Sequence, residues 1–239
     1  MISLSRSVRL PDHWPSAVVF DMDGLMFDSE RVDREIWREV VRRRGHEFPD
    51  ALHDSLVGHG QMESDRLLAT HFGGEFPLAE VRAEVRTRWE ERVASEGLPH
   101  KPGLVELLEF LEAAEMPTAV ATSTERSKAL LCLGSFAPRF RALAFGSEVA
   151  HPKPAPDLYM LAADRLGIDP RDCLALEDSP VGLSAAQAAG MTAILVPDLI
   201  LPAIPPAFVC RALTDVTEWL RRLGAERAGK AADLRSRTP

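Results

Sequence analysis

Two carboxylates, Asp21 and Asp23, stand directly behind the apolar run Val18-Val19-Phe20 and directly before Gly24. In extended chain, positions two apart point the same way, so both carboxylates leave the carboxyl end of one strand together, where open parallel sheets bind ligands. Gly24 permits the tight turn that such an exit requires. An isolated Asp-x-Asp is ordinarily a turn or a cap; the apolar run before it and the glycine after it make this instance more specific. A second acidic pair, Glu177 and Asp178, ends another apolar run in CLALEDSPVG. Two acidic clusters that each terminate a parallel strand can meet in space, and their mutual repulsion then calls for a cation. Hard carboxylate oxygens favour magnesium. The plainer reading, that Glu177 and Asp178 cap a helix starting near Pro180, is compatible with metal binding.

A phosphate would need a local positive site. Thr122 ends the run TAVAT and is followed by Ser123 and Thr124, which offer hydroxyl and backbone donors at the head of a helix, where the dipole favours an anion. Lys153, held in HPKPAPD between Pro152 and Pro154, supplies a positive charge from a stiff loop. Alone, Thr122 reads as a helix cap and Lys153 as a surface lysine; their order and their placement after strands favour phosphate binding.

The elements that must position these groups are legible as alternating patterns. Short apolar runs at 17–20 (AVVF), 118–122 (TAVAT), 142–145 (ALAF), 173–177 (CLALE) and 192–196 (TAILV) read as strands. Between the second and fifth runs, ERSKALLCL, DLYMLAADRLGI and SPVGLSAAQAAG read as helices. That alternation predicts an α/β fold, a Rossmann-like parallel sheet core flanked by helices. Almost all of the long separation between the first two strands reads as helix. Val32, Ile36, Trp37, Val40 and Val41 make one apolar stripe, and Leu78, Val81, Val85, Trp89 and Val93 make another. Residues 30–98 are therefore expected to form a small inserted all-helical domain, with residues 1–29 and 99–239 forming the sheet domain. The helix LVELLEFLEAA returns the chain to the sheet, and the arginine- and alanine-rich tail after Gly224 is expected to fray. The stretch from Ala193 to Cys210 carries one charge, Asp198, but Pro197, Pro202, Pro205 and Pro206 would break a spanning helix. It reads as a buried strand, an apolar proline-rich loop packed on its own core, and a second short strand.

With 239 residues, 46% of them hydrophobic, the chain can bury one core plus a small attached domain. A net charge of -8 and a pI near 5.4 provide no positive field for nucleic acid or anionic membrane. Cys132, Cys173 and Cys210 are odd in number and widely spaced among apolar neighbours, which suits buried free thiols rather than disulfides or zinc ligands. The segment MISLSRSVRLPDHWP carries charges and prolines in place of an apolar signal core, so a cytoplasmic location is expected. The expected partner is a small phosphorylated metabolite, not nucleic acid or membrane, and the chain is expected to be a monomer or a homodimer.

Taken together, DMDGLMFDSE, VATST, KPAPD and EDSPVG resemble the four ordered motifs of the haloacid dehalogenase superfamily. The helical insertion between the first two resembles the cap of the branch containing phosphoglycolate phosphatases and β-phosphoglucomutases. The resemblance covers nearly the whole chain and is sharper in the sheet domain than in the cap. It implies that Asp21 attacks phosphorus to form an aspartyl-phosphate, and that Asp23 protonates the leaving oxygen and then activates the hydrolytic water. It further implies Mg2+ held by the Asp21 carboxylate, the Asp23 main-chain carbonyl and Asp178, with Glu177 either a further ligand or a group that holds the ligands. Thr122, Ser123 and Lys153 would bind the phosphate, and Lys153 would also hold Asp21.

The same positions discriminate among related chemistries. Dehalogenation needs no acid for an alkoxide, whereas Asp23 supplies one. Phosphonate cleavage in relatives uses a cap lysine, and residues 30–98 contain none. A phosphomutase uses the same core residues, but Asp33 stands where the mutase cap has a histidine and Gln61 where it has a phosphate-gripping arginine. The expectation is thus a magnesium-dependent phosphatase of small monoesters, either sugar phosphates or phosphoglycolate-like acids. A β-phosphoglucomutase-like mutase is the alternative, and a non-enzymatic metabolite-binding protein a minor one. His59, Gln61 and Asp33 are candidates to face the substrate, without a catalytic role.

Overall fold

In a computed structural model of the chain, residues 10–56, 61–198 and 208–236 are described, the side chains of Gln61 and of residues 230–236 excepted. Five strands form one parallel sheet: β1 (Ala17–Phe20), β2 (Thr118–Thr122), β3 (Ala142–Phe145), β4 (Cys173–Glu177) and β5 (Thr192–Leu195), in the order β3-β2-β1-β4-β5. The expected parallel α/β architecture is therefore present. Every residue of β1, β2 and β4 is buried, as expected of strands covered on both faces, and this explains why they read as unbroken apolar runs. The register pairs Val19 with Ala119 on one side and with Ala175 on the other, which places β1 at the centre.

The two faces of the sheet differ in side-chain size. Ala17, Ala119, Ala121, Ala142, Ala144, Ala175 and Ala193 belong to one buried cluster with Leu158, Tyr159, Ala162 and Ala163 of α7 (Asp157–Leu166) and with Leu183, Ala185 and Ala186 of α8 (Pro180–Ala188). Small strand residues let these helices approach the sheet closely. Strand alternation sends Val18, Phe20, Val120, Leu174, Leu176 and Ile194 to the opposite face, where all are buried.

The chain divides into two compact units, Asp28–Pro99 on the one hand and residues 1–27 with 100–239 on the other. The helical unit contains α1 (Ser29–Arg42), α2 (Asp50–Leu56), α3 (Gln61–Phe72) and α4 (Leu78–Glu96). Val32, Ile36, Trp37, Val40 and Val41 of α1 are buried, as are Val81, Val85, Trp89 and Val93 of α4, and the two helices pack on each other. Leu78, counted with that stripe, is only half-buried at the first turn. His53, with its imidazole buried among Phe48 and the Arg34–Asp50 pair, is a polar core residue that no apolar stripe announces.

In the sheet unit, α5 (Leu104–Ala113) packs against α9 (Leu213–Ser236). The tail expected to fray is helical: α9 continues past Gly224 to Ser236, because Ala, Glu, Arg, Lys and Leu dominate that stretch and are strong helix formers. The short strand expected near Cys210 is reduced to a single bridge, Leu195 to Val209, supported by hydrogen bonds from Leu195 N to Phe208 O and from Cys210 N to Leu195 O. The proline-rich loop between them, from Leu199 to Ala207, lies outside the described residues, as does His59.

Candidate active site

The carboxyl ends of β1, β2 and β4 carry polar side chains. Asp21 follows β1 and is 7% exposed; its Oδ1 accepts a hydrogen bond from Lys153 Nζ at 2.6 Å. Asp23, two residues on, accepts at Oδ2 from the Thr124 hydroxyl at 2.7 Å. Glu177, the last residue of β4, is fully buried, and Asp178 follows it. One oxygen from each of Asp21, Glu177 and Asp178 falls within 4.8 Å of the others, so the two acidic clusters separated by over 150 residues in sequence do converge. The Asp23 carboxylate is not part of that convergence, and one of its oxygens accepts from Thr124.

Gly24 is needed here for two reasons. Its φ is +83°, in the left-handed region that favours glycine, and a Cβ at that position would lie 2.1 Å from Asp178 Oδ2. The turn after β1 is therefore also the wall against which Asp178 rests. A related close approach occurs at Gly182 in the first turn of α8, where a Cβ would meet Glu177 Oε1 at 1.7 Å.

Lys153 is the site's buried cation. Besides Asp21, its Nζ donates to Glu177 Oε1 at 2.6 Å, and it lies 4.8 Å from the centroid of the Tyr159 ring. Burial alone would lower its pKa, but Asp21 and Glu177 outweigh burial and hold the ammonium above its usual range. Burial pushes the Asp21 carboxyl well up, with Glu177 and Asp178 adding to the effect and Lys153 opposing it. Asp178 is pushed up to about 8, first by burial and then by Glu177. One ammonium does not balance the carboxylates around it, and a further cation would relieve that excess.

Glu177 is occupied on both oxygens. Oε1 accepts from Lys153 and from the Tyr159 hydroxyl at 2.7 Å; Oε2 accepts from the Ser179 amide and hydroxyl at 3.2 and 3.1 Å. The Ser179 hydroxyl also caps α8 by accepting from Gly182 N. At the edge of the site Asp198, beyond β5, pairs with Lys101 at 2.6 Å and lies beside Gly24 and Asp178.

The loop after β2 leads into α6 (Arg126–Leu133), which starts within one residue of the expected ERSKALLCL helix, with Glu125 as its N-cap and Thr122, Ser123 and Thr124 in the loop ahead of it. Thr122 is buried and its hydroxyl accepts the Thr124 amide at 3.0 Å, which leaves the O–H as a donor; Ser123 is exposed. The structure thus brings Asp21, Asp178 and Lys153 together and sets Asp23 beside the Thr122–Thr124 loop. Sequence reasoning missed Tyr159, Ser179, the Lys101–Asp198 pair and the link from Thr124 to Asp23. Only Ser179 carried a local signal, as a serine one residue before a proline-initiated helix.

Residues 15–190 match the model of the haloacid dehalogenase-like hydrolase family. The Phosphorylated carbohydrates phosphatase of Thermotoga maritima is 33% identical over 180 residues, which span 74% of this chain and 83% of that protein. Protein CbbY of Rhodobacter capsulatus is 32% identical across 76% of this chain and 85% of its own length. Among solved structures, a HAD family hydrolase from Deinococcus radiodurans R1 with bound phosphate and sodium superposes with a TM-score of 0.74 at 28% identity, covering 87% of this chain and 96% of that one. The chain belongs to the haloacid dehalogenase-like hydrolases, in the branch of phosphatases and β-phosphoglucomutase-like proteins, and is an enzyme of that family. No helix among the described residues is long and apolar enough to cross a membrane.

Proposed function

We propose that this enzyme is a magnesium-dependent phosphatase acting on small phosphate monoesters, sugar phosphates or phosphoglycolate-like acids, through an aspartyl-phosphate on Asp21. The observation that carries the reading is the buried Asp21 carboxylate, held at Oδ1 by Lys153 while Asp178 and Glu177 converge on it. A nucleophile fixed by one oxygen presents the other to phosphorus, which is the positioning that covalent catalysis requires. The resemblance to the T. maritima phosphatase and to a Fructose-1-phosphate phosphatase of Escherichia coli, 29% identical over 75% of this chain, supports a phosphorylated carbohydrate as substrate.

The residues fit a hard divalent cation: all three converging groups are carboxylates, and Asp178 retains a proton near neutrality unless a cation displaces it. Asp21, Asp178 and the Asp23 carbonyl would hold Mg2+, which when bound neutralises phosphate charge and keeps Asp178 ionised. The remaining roles belong to the chain's own side chains. Asp23, oriented by the Thr124 hydroxyl, hands a proton to the leaving oxygen and later takes one from water. Lys153, with Thr122 and Ser123, binds the non-bridging oxygens. Residues 30–98 act as the cap domain in which substrate choice resides, and the rest of the chain as the catalytic domain.

The test is phosphate release from a panel of small monoesters, with magnesium and with chelator, beside a glucose-1-phosphate to glucose-6-phosphate isomerisation assay. Metal-dependent release abolished in Asp21→Asn is the expected result. Isomerisation without net release would make the enzyme a mutase, and a folded, magnesium-binding but inert protein would mean the fold serves only to bind a metabolite.

A further inference from the structure

Tyr159, the only tyrosine in the chain, is fully buried on α7 and reaches the acidic cluster at Glu177. Its hydroxyl donates to Glu177 Oε1 at 2.7 Å, the same oxygen that accepts from Lys153. Its ring lies under the ammonium, with Nζ 4.8 Å from the centroid. Burial, and then the carboxylates Glu177 and Asp21, hold the phenol well above its usual range. A phenol in this position has no route to substrate except through its neighbours.

Resting on the proposed phosphoryl-transfer reading, we propose that Tyr159 is a positioning residue for Lys153, acting through Glu177 and through its own hydroxyl, which accepts from Nζ at 3.4 Å. A carboxylate has about four acceptor sites. The four donors at Glu177, namely Lys153, Tyr159, and the amide and hydroxyl of Ser179, fill them. Filled in this way, Glu177 is an anchor for the ammonium rather than a ligand of the metal, and it cannot rotate without breaking several charge-assisted bonds. The ring of Tyr159 lies 4.8 Å from Nζ, and its hydroxyl accepts a third bond from the ammonium at 3.4 Å. The ammonium is thereby held among Glu177, Tyr159 and Asp21, the residue at which the phosphate must arrive. Removing the hydroxyl frees one side of Glu177 Oε1 and lets the ammonium wander, which weakens an interaction made chiefly when charge develops on the transferring group.

Tyr159→Phe keeps the ring and the packing volume and removes only the hydroxyl. The expected result is a kcat about ten-fold lower with KM within about two-fold of wild type. Binding of vanadate in the presence of magnesium, followed by calorimetry, should weaken by a similar factor because vanadate adopts the geometry of the transferring group. The vanadate arm requires no turnover, so it reads the role of Tyr159 even if the whole panel of monoesters is inert and the phosphatase reading falls. Ser179→Ala, which strips a donor from the other oxygen of Glu177, should produce the same kcat-weighted loss in smaller degree and carries the test if the Phe variant is poorly folded. A Tyr159→Phe enzyme with a lowered melting temperature but unchanged kcat and unchanged vanadate affinity would overturn the proposal, since Tyr159 would then only fill the core. A magnesium affinity that drops sharply in Tyr159→Phe while vanadate affinity relative to bound metal is kept would equally overturn it, by making Glu177 a metal ligand.

Discussion

Replacing Lys153 by methionine removes the buried cation of the site while keeping much of its volume. Its Nζ is bonded at 2.6 Å both to Asp21 Oδ1 and to Glu177 Oε1, and the three side chains are 7%, 10% and 1% exposed. Breaking a buried ion pair from one side costs roughly 3–5 kcal/mol because it strands the opposite charge. For a protein of this size about 1 kcal/mol shifts the midpoint by roughly 2–4 °C, so the metal-free variant should melt on the order of 10 °C below wild type. The deficit should depend on pH in a definite sense. Burial and its carboxylate neighbours already push Asp21 up, and loss of Lys153 removes the opposing influence. A carboxyl whose folded pKa lies above its unfolded value stabilises the fold below the unfolded pKa and ceases to do so as pH rises through the folded one. The variant should therefore lose more against wild type at pH 8 than at pH 5, and magnesium should restore part of the loss at pH 8. Thermal melts at both pH values, with magnesium and with chelator, provide the measurement. A Lys153→Met protein that melts within about 2 °C of wild type at pH 8 in chelator would show that the ammonium does not hold these carboxylates.

Gly24→Ala should weaken magnesium activation by about 10–100-fold, read from the metal dependence of phosphate release, because both the positive φ and the 2.1 Å approach to Asp178 Oδ2 force the turn or the carboxylate to move. Magnesium binding should release protons at pH 7, since Asp178 is pushed up to about 8 in the metal-free protein. Calorimetry in buffers of different ionisation heat counts those protons, and their number should fall as pH rises past about 8. The three cysteines are buried, and burial raises the thiols of Cys173 to about 11 and of Cys132 and Cys210 to about 12. A thiol-disulfide reagent at pH 8 should react with them only on unfolding, and fast reaction in native buffer would contradict their burial.

The sheet was legible because β1, β2 and β4 are covered on both faces and so must be apolar throughout; their ends in the structure are the ends of the apolar runs. Only the last differs, β5 stopping at Leu195, one residue before Val196. The converging carboxylates were legible for a related reason: a charge at the end of an apolar run is local information. The partnerships that make the site work are of another kind. Thr124 to Asp23, Lys101 to Asp198 and Tyr159 to Glu177 join residues on different strands or helices, and nothing in the neighbourhood of Tyr159 in DLYMLAADRL separates it from an ordinary core aromatic. The helix after β2 was legible to within one residue: the run ERSKALLCL begins at Glu125, the observed N-cap, although that residue makes no side-chain cap bond.

The central place of β1 also bears on how the chain assembles. Its neighbours in the sheet are β2 and β4, and neither is near it in sequence. During synthesis at roughly 5–20 residues per second, the Ala17–Phe20 segment emerges first and waits on the order of ten seconds for β4. Until β2 emerges this apolar strand has both edges unpaired, and until β4 follows one edge stays open, while the intervening helical unit can complete its own local contacts. The catalytic centre, built across the most distant pairing in the sheet, is consequently among the last parts of the molecule to exist, and a chain stalled before Asp178 displays an aggregation-prone strand with no metal site to show for it.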